Sequence, residues 1–205
     1  MAVTVREVAP PPPPKPPAEP PHEDRRPEGP PPPRVATRVG IWLFVGAVTL
    51  FFLALTSALL ARAEGLDWVR IPFPRILWGS TAAILSSSFA LEQARRALGK
   101  GDGKRFRGRL QLAALLGGGF LAAQFTAWRE LSHHGLSLAN SPHTAYFYLL
   151  TGAHAAHLLG GLAWFGALVR RARRGQVDPE RIADFAVYWH FLAGLWVYLF
   201  AVLFL

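Results

Sequence analysis

The chain has 205 residues, no cysteine, one methionine at position 1 and a formal net charge of +9. Without cysteine there is no disulfide framework, and no thiolate can ligate copper, an iron–sulfur cluster or a covalently attached haem. Although 51% of the residues are hydrophobic, the N-terminal part is rich in proline and polar residues, so the remainder is apolar enough for a membrane protein.

The N-terminal segment, residues 1–37, contains little apolar surface, and 14 of the 18 prolines lie within residues 1–34. This composition predicts a disordered tail with polyproline II character. The segment lacks the basic region followed by an apolar region that marks a secretory signal. We interpret it as a cytoplasmic tether, and a docking role for its proline runs is the alternative.

Five apolar runs follow the tail, and each has the length of a membrane-spanning helix. They cover residues 39–61, 76–98, 110–128, 146–169 and 182–205. Because a helix of roughly 20 residues crosses the bilayer core, residues 38–205 are predicted to form an all-α, polytopic membrane bundle with five transmembrane helices. The second run is the weakest, since Glu92, Arg95 and Arg96 place its end in water.

The connections between the runs differ in positive charge. The stretch 95–109 carries seven lysines and arginines and the stretch 170–181 carries five, whereas the two alternate connections carry three and one. The positive-inside rule therefore predicts that the N-terminus and both basic loops are cytoplasmic and that the C-terminus is on the other side. The basic residues are explained by topology, so we expect no nucleic-acid partner.

Histidines mark the fourth run, where His154, His157 and Gly161 share one stripe of the helix. Imidazoles at membrane depth are costly, so each is expected to face protein, a lipid headgroup or water and to hydrogen-bond to a helix neighbour or a headgroup. His190 in the fifth run is predicted to lie at another depth and to have its own partner. This mismatch disfavours a bis-histidine haem, which needs two imidazoles at one level.

Small and polar residues in the runs predict helix–helix contacts. The small residues at one side of the fourth run and in the third run allow close approach of a neighbour; they are Gly152, Ala156, Gly160, Gly117, Gly118 and Gly119. Gln124 in the third run must find a hydrogen-bond partner. Glu92 is expected to form an interfacial ion pair with Arg95 and Arg96, which lie three and four residues away.

Four stretches together carry a resemblance to subunit III of haem–copper terminal oxidases, in its short five-helix form. They are Gly40-Ile41-Trp42-Leu43-Phe44; Leu77-Trp78 through Ser80-Thr81, Ser86-Ser87-Ser88 and Ala94; Thr151-Gly152-x-His154-x-x-His157-x-x-Gly160-Gly161; and Tyr188-Trp189-His190-Phe191 with Trp196. Their order along the chain and the predicted topology both match that family.

The resemblance implies an accessory, cofactor-free subunit of a respiratory cytochrome c or quinol oxidase in the bacterial inner membrane. Haem and copper are expected in the partner subunits I and II, and phospholipids and a larger respiratory supercomplex are the other partners that it suggests. It implies no catalytic or metal-binding residue. The positions that it assigns to lipid or subunit contact are His154, His157, Gly161, Tyr188, Trp189, His190, Glu92 and Gln124.

Three acidic positions of the family are apolar in this chain. Val48 occupies the place of a carboxylate in the first common helix, and Ala127 and Ala193 occupy the places of a glutamate and an aspartate. The resemblance therefore implies a scaffold role, without proton transfer through these membrane carboxylates.

Two other functions fit a small polytopic protein. A nitric oxide reductase accessory subunit is close in sequence pattern to the oxidase subunit. An autonomous transporter should have broken helices or charged residues at a midplane site, whereas the runs here are continuous and nearly free of charge. The oxidase subunit is therefore the favoured interpretation.

Deleting residues 2–30 should leave membrane insertion and the helix bundle unchanged, because the segment has no apolar surface to dock by burial. Protease protection of the truncated chain in membranes measures insertion. A chain that fails to insert would contradict the tether, whereas loss of partner binding alone would indicate the docking role.

Overall fold

The computed structural model describes residues 33–62, 75–133 and 142–204, which form five α-helices and confirm the all-α class. The helices are α1 (Pro33–Arg62), α2 (Ile76–Gly99), α3 (Gly103–His133), α4 (Pro142–Arg173) and α5 (Pro179–Phe204). Most of the predicted tail lies outside the described residues. Residues 33–37, which the sequence analysis assigned to that tail, form the first turns of α1 instead.

The helices α1, α3 and α4 extend beyond the predicted apolar runs at both ends, and α5 begins three residues before its run. Among the described residues, α1, α3, α4 and α5 are long and apolar enough to cross a membrane. The helix α2 has 24 residues, enough to span about 36 Å, but its serines and terminal charges reduce its hydropathy. Length and composition thus support four of the five predicted crossings.

Four of the helices form a ring in the order α2, α3, α4, α5, and α1 lies outside it against α4 and α5. Neighbours in the ring are antiparallel. Between α2 and α3, for example, Ser87 Oγ is 2.7 Å from the Ala113 carbonyl oxygen and Ser80 Oγ is 3.1 Å from Gln124 Nε2. As positions ascend along α2, their partners descend along α3, which is the arrangement of an antiparallel hairpin.

Tight turns join the helices at the basic end of the ring. Gly101, after α2, and Gly175, after α4, both have the left-handed backbone conformation, with φ of 75° and 73°. A residue with a Cβ would be strained there. Because the turns are short, the basic ends of α2, α3, α4 and α5 meet on one side of the bundle.

Trp189 on α5 fills the half of the ring interior that is nearer the basic loops. Its indole N–H donates to Ser87 Oγ on α2 at 3.0 Å, and its ring lies 4.9 Å from that of Phe165 on α4, centroid to centroid. Toward α3 it packs against Gly117, where a Cβ would come within 2.6 Å of Trp189 Cζ2. One buried side chain of α5 therefore contacts all three other helices of the ring.

Trp196, two helical turns further along α5, repeats this arrangement in the half of the ring interior that is farther from the basic loops. Its N–H donates to Thr81 Oγ1 on α2 at 2.9 Å. Its ring lies 5.0 Å from that of Phe120 on α3 and 5.5 Å from that of His154 on α4. The two tryptophans thus form two stacked layers at the centre of the bundle.

Replacing Gly117 with alanine should destabilise the chain by about 1–3 kcal/mol, because the new methyl group overlaps the Trp189 ring. The change also raises helix propensity, so the matched control is Gly118→Ala, at a site with open space around its Cβ. Thermal unfolding of the full chain in detergent compares the two. Equal melting temperatures would contradict the close packing at Gly117.

Candidate functional site

His154 lies inside the ring, in the Trp196 layer, and is 1% exposed. Its ring packs edge-on against Phe120 at 5.8 Å and tilted against Trp196 at 5.5 Å. Among the described residues, neither of its ring nitrogens has a hydrogen-bond partner. The helix neighbour expected to pair with His154 is therefore not found among the described residues. The rings of Phe120 and Trp196 pack against its imidazole instead.

His157, one turn further along α4, faces α1 instead of the ring interior. Its Nδ1 lies 2.8 Å from the carbonyl oxygen of Ala153 on its own helix, so Nδ1 carries the proton and donates. The rings of Phe44 and Phe52 on α1 lie 6.2 Å and 5.7 Å away. His157 thus bonds within its own helix and not to a neighbouring one, and the two histidines of the stripe serve different interfaces.

Val48 lies between those two phenylalanines on the helix α1, one turn from each, and is buried. It is the position where the resembled family has a carboxylate. The structure thus places an aliphatic side chain on the part of α1 that faces His157. The interface between α1 and α4 is aromatic and apolar at this level.

Tyr188 and Gly161 join the two histidine motifs into one packing unit. The Tyr188 hydroxyl donates to the carbonyl oxygen of His157 at 2.8 Å. A Cβ at Gly161 would lie 3.3 Å from Tyr188 Cε1 and 3.1 Å from Trp189 Cζ3, so glycine lets α5 approach α4 here. This contact holds the motif of α4 against the motif of α5.

His190 faces α2 and has its own partner, as predicted. Its Nδ1 forms a hydrogen bond with Ser88 Oγ, and its Nε2 lies 4.0 Å from a Glu92 oxygen. The expected ion pairs of Glu92 are confirmed, at 2.9 Å to Arg95 Nη1 and 3.1 Å to Arg96 Nε. Sequence reasoning missed the approach of His190 to Glu92, because helical spacing indicates a face and not the partner helix.

Gln124 on α3 is buried, and its Nε2 donates to Ser80 Oγ at 3.1 Å. The requirement for a partner is therefore met on the amide nitrogen. The amide oxygen of Gln124 has no partner among the described residues.

The small residues divide into two kinds. Gly117 and Gly161 contact neighbouring helices, whereas Gly152 and Gly160 have open space around their Cβ positions. Ala156 between them is exposed. The predicted close approach along this second stripe of α4 is therefore not made by another helix in the described part of the chain.

Trp189 is the start of a polar relay through the bundle. Its N–H donates to Ser87 Oγ, and the Ser87 hydroxyl donates in turn to the carbonyl oxygen of Ala113 on α3. Two hydrogen bonds thus connect α5, α2 and α3 in the Trp189 layer. Both are buried, so no water competes with them.

The three described histidines of the two motifs point to different neighbours: His154 to the ring interior, His157 to α1 and His190 to α2. Within residues 33–62, 75–133 and 142–204, no group of three or more histidine, aspartate, glutamate or cysteine side chains could hold a metal ion. The arrangement of these residues is that of helix–helix contacts.

Comparison with known proteins identifies relatives over most of the chain. The sequence profile of the family described as Cytochrome c oxidase subunit III matches residues 33–205. The chain is 29% identical over 174 residues to a cytochrome c oxidase subunit 3 of Bacillus sp. (strain PS3), covering 82% of this chain and 84% of the relative. A probable cytochrome c oxidase subunit 3 of Nocardia farcinica is 30% identical over 78% of this chain and 79% of its own length. A quinol oxidase subunit 3 of Bacillus spizizenii is 28% identical, with 79% and 83% covered.

Replacing Ser87 with alanine should destabilise the chain by about 1–3 kcal/mol, because it leaves the Trp189 N–H and the Ala113 carbonyl without this partner in a buried site. The neighbouring Ser86 is exposed, so Ser86→Ala is the matched control and should have little effect. Detergent or thermal unfolding measures the difference. If both variants unfold alike, the relay does not stabilise the bundle.

Proposed function

Because the chain belongs to the cytochrome c oxidase subunit III family, it is an accessory subunit of a respiratory haem–copper oxidase, and we propose that it supports the assembly, lipid retention and proton-uptake integrity of the catalytic subunit. In this proposal the chain contributes no reacting group. Haem and copper belong to the partner subunits I and II. The chain is an integral protein of a bacterial membrane, and we assign it to the inner membrane.

The packed interior of the ring is the observation that carries this proposal. Trp189, Trp196, Phe120 and Phe165 are all fully buried between the four helices. A transporter of this size needs a polar site near the membrane midplane, commonly between broken helices. Large aromatic side chains occupy that space here, and the described helices are continuous, which supports a structural role. The named oxidase relatives likewise favour this role over a nitric oxide reductase subunit.

The helix α2 is proposed as the fifth crossing. It is joined to α3 by a three-residue turn and packs along it, from the Ser87–Ala113 contact to the Ser80–Gln124 contact. Since α3 is apolar and long enough to span the membrane, an antiparallel partner of 24 residues beside it spans too. Ser80 and Ser87 of α2 face the ring, where their hydroxyl groups are hydrogen-bonded.

The proposed orientation rests on the basic ends of the helices. The turns at Gly101 and Gly175 gather the arginines of both basic loops on one side of the bundle, and the positive-inside rule places that side in the cytoplasm. The N-terminal tail then lies in the cytoplasm, and the end of α5 lies on the opposite side.

Lipid retention is proposed for two apolar grooves on either side of α1. The groove between α1 and α5 has a volume of about 360 Å³, and Gly194 and Leu195 are among the residues that line it. The groove between α1 and α4 has about 370 Å³ and runs past Gly40 and Gly160. Both are lined mainly by hydrophobic side chains, which suits phospholipid acyl chains. The contacts with subunits I and II, and with a larger supercomplex, are proposed to use the remaining apolar outer surface.

Substituting His154→Leu or His157→Leu in the assembled oxidase should leave the initial rate of oxygen reduction within about twofold of wild type, because no reacting group is removed. Subunit association or lipid retention should weaken, so activity should decay earlier over many turnovers. Oxygen consumption at first and late turnovers, with subunit content and bound lipid measured in the same preparation, provides the test.

His133→Leu is the control for that experiment, because His133 is an exposed histidine at the end of α3. It should behave as wild type at all turnovers. Zero initial activity in a fully assembled His154 or His157 variant would contradict the accessory role, and undiminished late activity would contradict the role of these histidines.

A further inference from the structure

Three polar atoms in the Trp196 layer lack a hydrogen-bond partner among the described residues. They are Nδ1 and Nε2 of His154 and Oε1 of Gln124. The two side chains are 1% and 2% exposed. Inside a membrane bundle an unpaired polar atom is costly, by roughly 1–3 kcal/mol, so this concentration of three calls for a physical account.

The orientation of the Gln124 amide is determined by its neighbour. Ser80 has one hydroxyl proton, which it donates to the carbonyl oxygen of Leu77 at 2.9 Å. The Ser80 oxygen therefore accepts, and the group 3.1 Å away must be the amide NH₂ of Gln124. The amide oxygen then points away from Ser80 and stays available as an acceptor.

The other polar groups of this layer are already committed. The Trp196 N–H donates to Thr81 Oγ1, and the Thr81 hydroxyl donates to the Leu77 carbonyl at 2.8 Å. On α4, the Thr151 hydroxyl donates to the carbonyl oxygen of Phe147 and accepts the N–H of Trp128. None of these groups is therefore free to donate a hydrogen bond to His154.

His154 and Gln124 lie about one helical turn apart in level, on two adjacent antiparallel helices. Two contacts between α3 and α4 bracket Gln124: the Phe120–His154 ring contact one turn before it and the Trp128–Thr151 hydrogen bond one turn after it. Phe120 and Gln124 are both buried on the same face of α3. The unpaired amide oxygen and the unpaired imidazole therefore belong to one buried region.

We propose that this region is a binding site for internal water, in which at least one water molecule bridges Gln124 Oε1 and a ring nitrogen of His154. Water fits the chemistry because it both donates and accepts, as the amide oxygen needs a donor and the neutral imidazole offers one N–H and one acceptor nitrogen. A bridging water also suits two polar groups that are near each other but not in direct hydrogen-bond contact. The site would connect α3 and α4 in the Trp196 layer.

The test uses the assembled oxidase with the full chain in lipid nanodiscs. A cryo-EM map that resolves ordered water should show density within hydrogen-bond distance of Gln124 Oε1 and one His154 nitrogen. In the same complex labelled with ¹⁵N-histidine, water-edited solid-state NMR should show early transfer from water to the His154 ring. His154→Phe assigns that signal by removing it.

Gln124→Leu should abolish the early transfer to His154, because the water loses its acceptor on α3. Thr126→Val is the control on the same helix, since Thr126 is exposed and its hydroxyl bonds only to its own helix in the described structure; the transfer should persist. A direct Gln124–His154 hydrogen bond, a map without water at this place, or transfer that is unchanged in Gln124→Leu would each overturn the proposal. The wild-type map decides the matter even if a variant fails to assemble.

Discussion

A bilayer offers a buried N–H group no water to bond with, and the two indoles of α5 show how this chain meets that constraint. Trp189 and Trp196 are fully buried in the centre of the ring, and each has one N–H group that needs a hydrogen-bond acceptor. Ser87 and Thr81 on α2 accept the hydrogen bonds that these indole N–H groups donate. This pairing sets the position of α5 relative to α2, and the space needed for the Trp189 ring in turn requires a glycine, Gly117, on α3.

Hydropathy predicted the five helices well, because length and apolar content are local properties of the chain. The helix ends were predicted less well, since the helices continue as hydrogen-bonded turns beyond the apolar core. The contact partners of individual residues on other helices mostly could not be predicted from the sequence. Ser88 and His190 are 102 residues apart, and a helical period indicates only which side of a helix is buried. Gly161 was recognised as a contact residue, but nothing in the sequence identified Tyr188 and Trp189 as its neighbours.

His154 shows a different limit of sequence reasoning. A buried imidazole was expected to find a partner on a neighbouring helix, yet the rings of Phe120 and Trp196 pack against it and the nearby hydroxyl protons are used elsewhere. The rule that an unpaired polar group is costly inside a membrane predicts that His154 has a hydrogen-bond partner. The rule does not identify that partner. His157, three residues away, follows the simpler course and bonds to a carbonyl of its own helix.

The indole hydrogen bonds of α5 have a consequence for biogenesis. They join residues that are 102 and 115 positions apart in the chain, so α2, α3 and α4 enter the membrane before either bond can form. Without α5, the helices α2, α3 and α4 would leave an open slot beside Gly117. Closure of that slot is then a late, long-range step of the kind that slows folding. The arrival of one helix would convert a loose insertion intermediate into a surface rigid enough for a partner subunit to recognise.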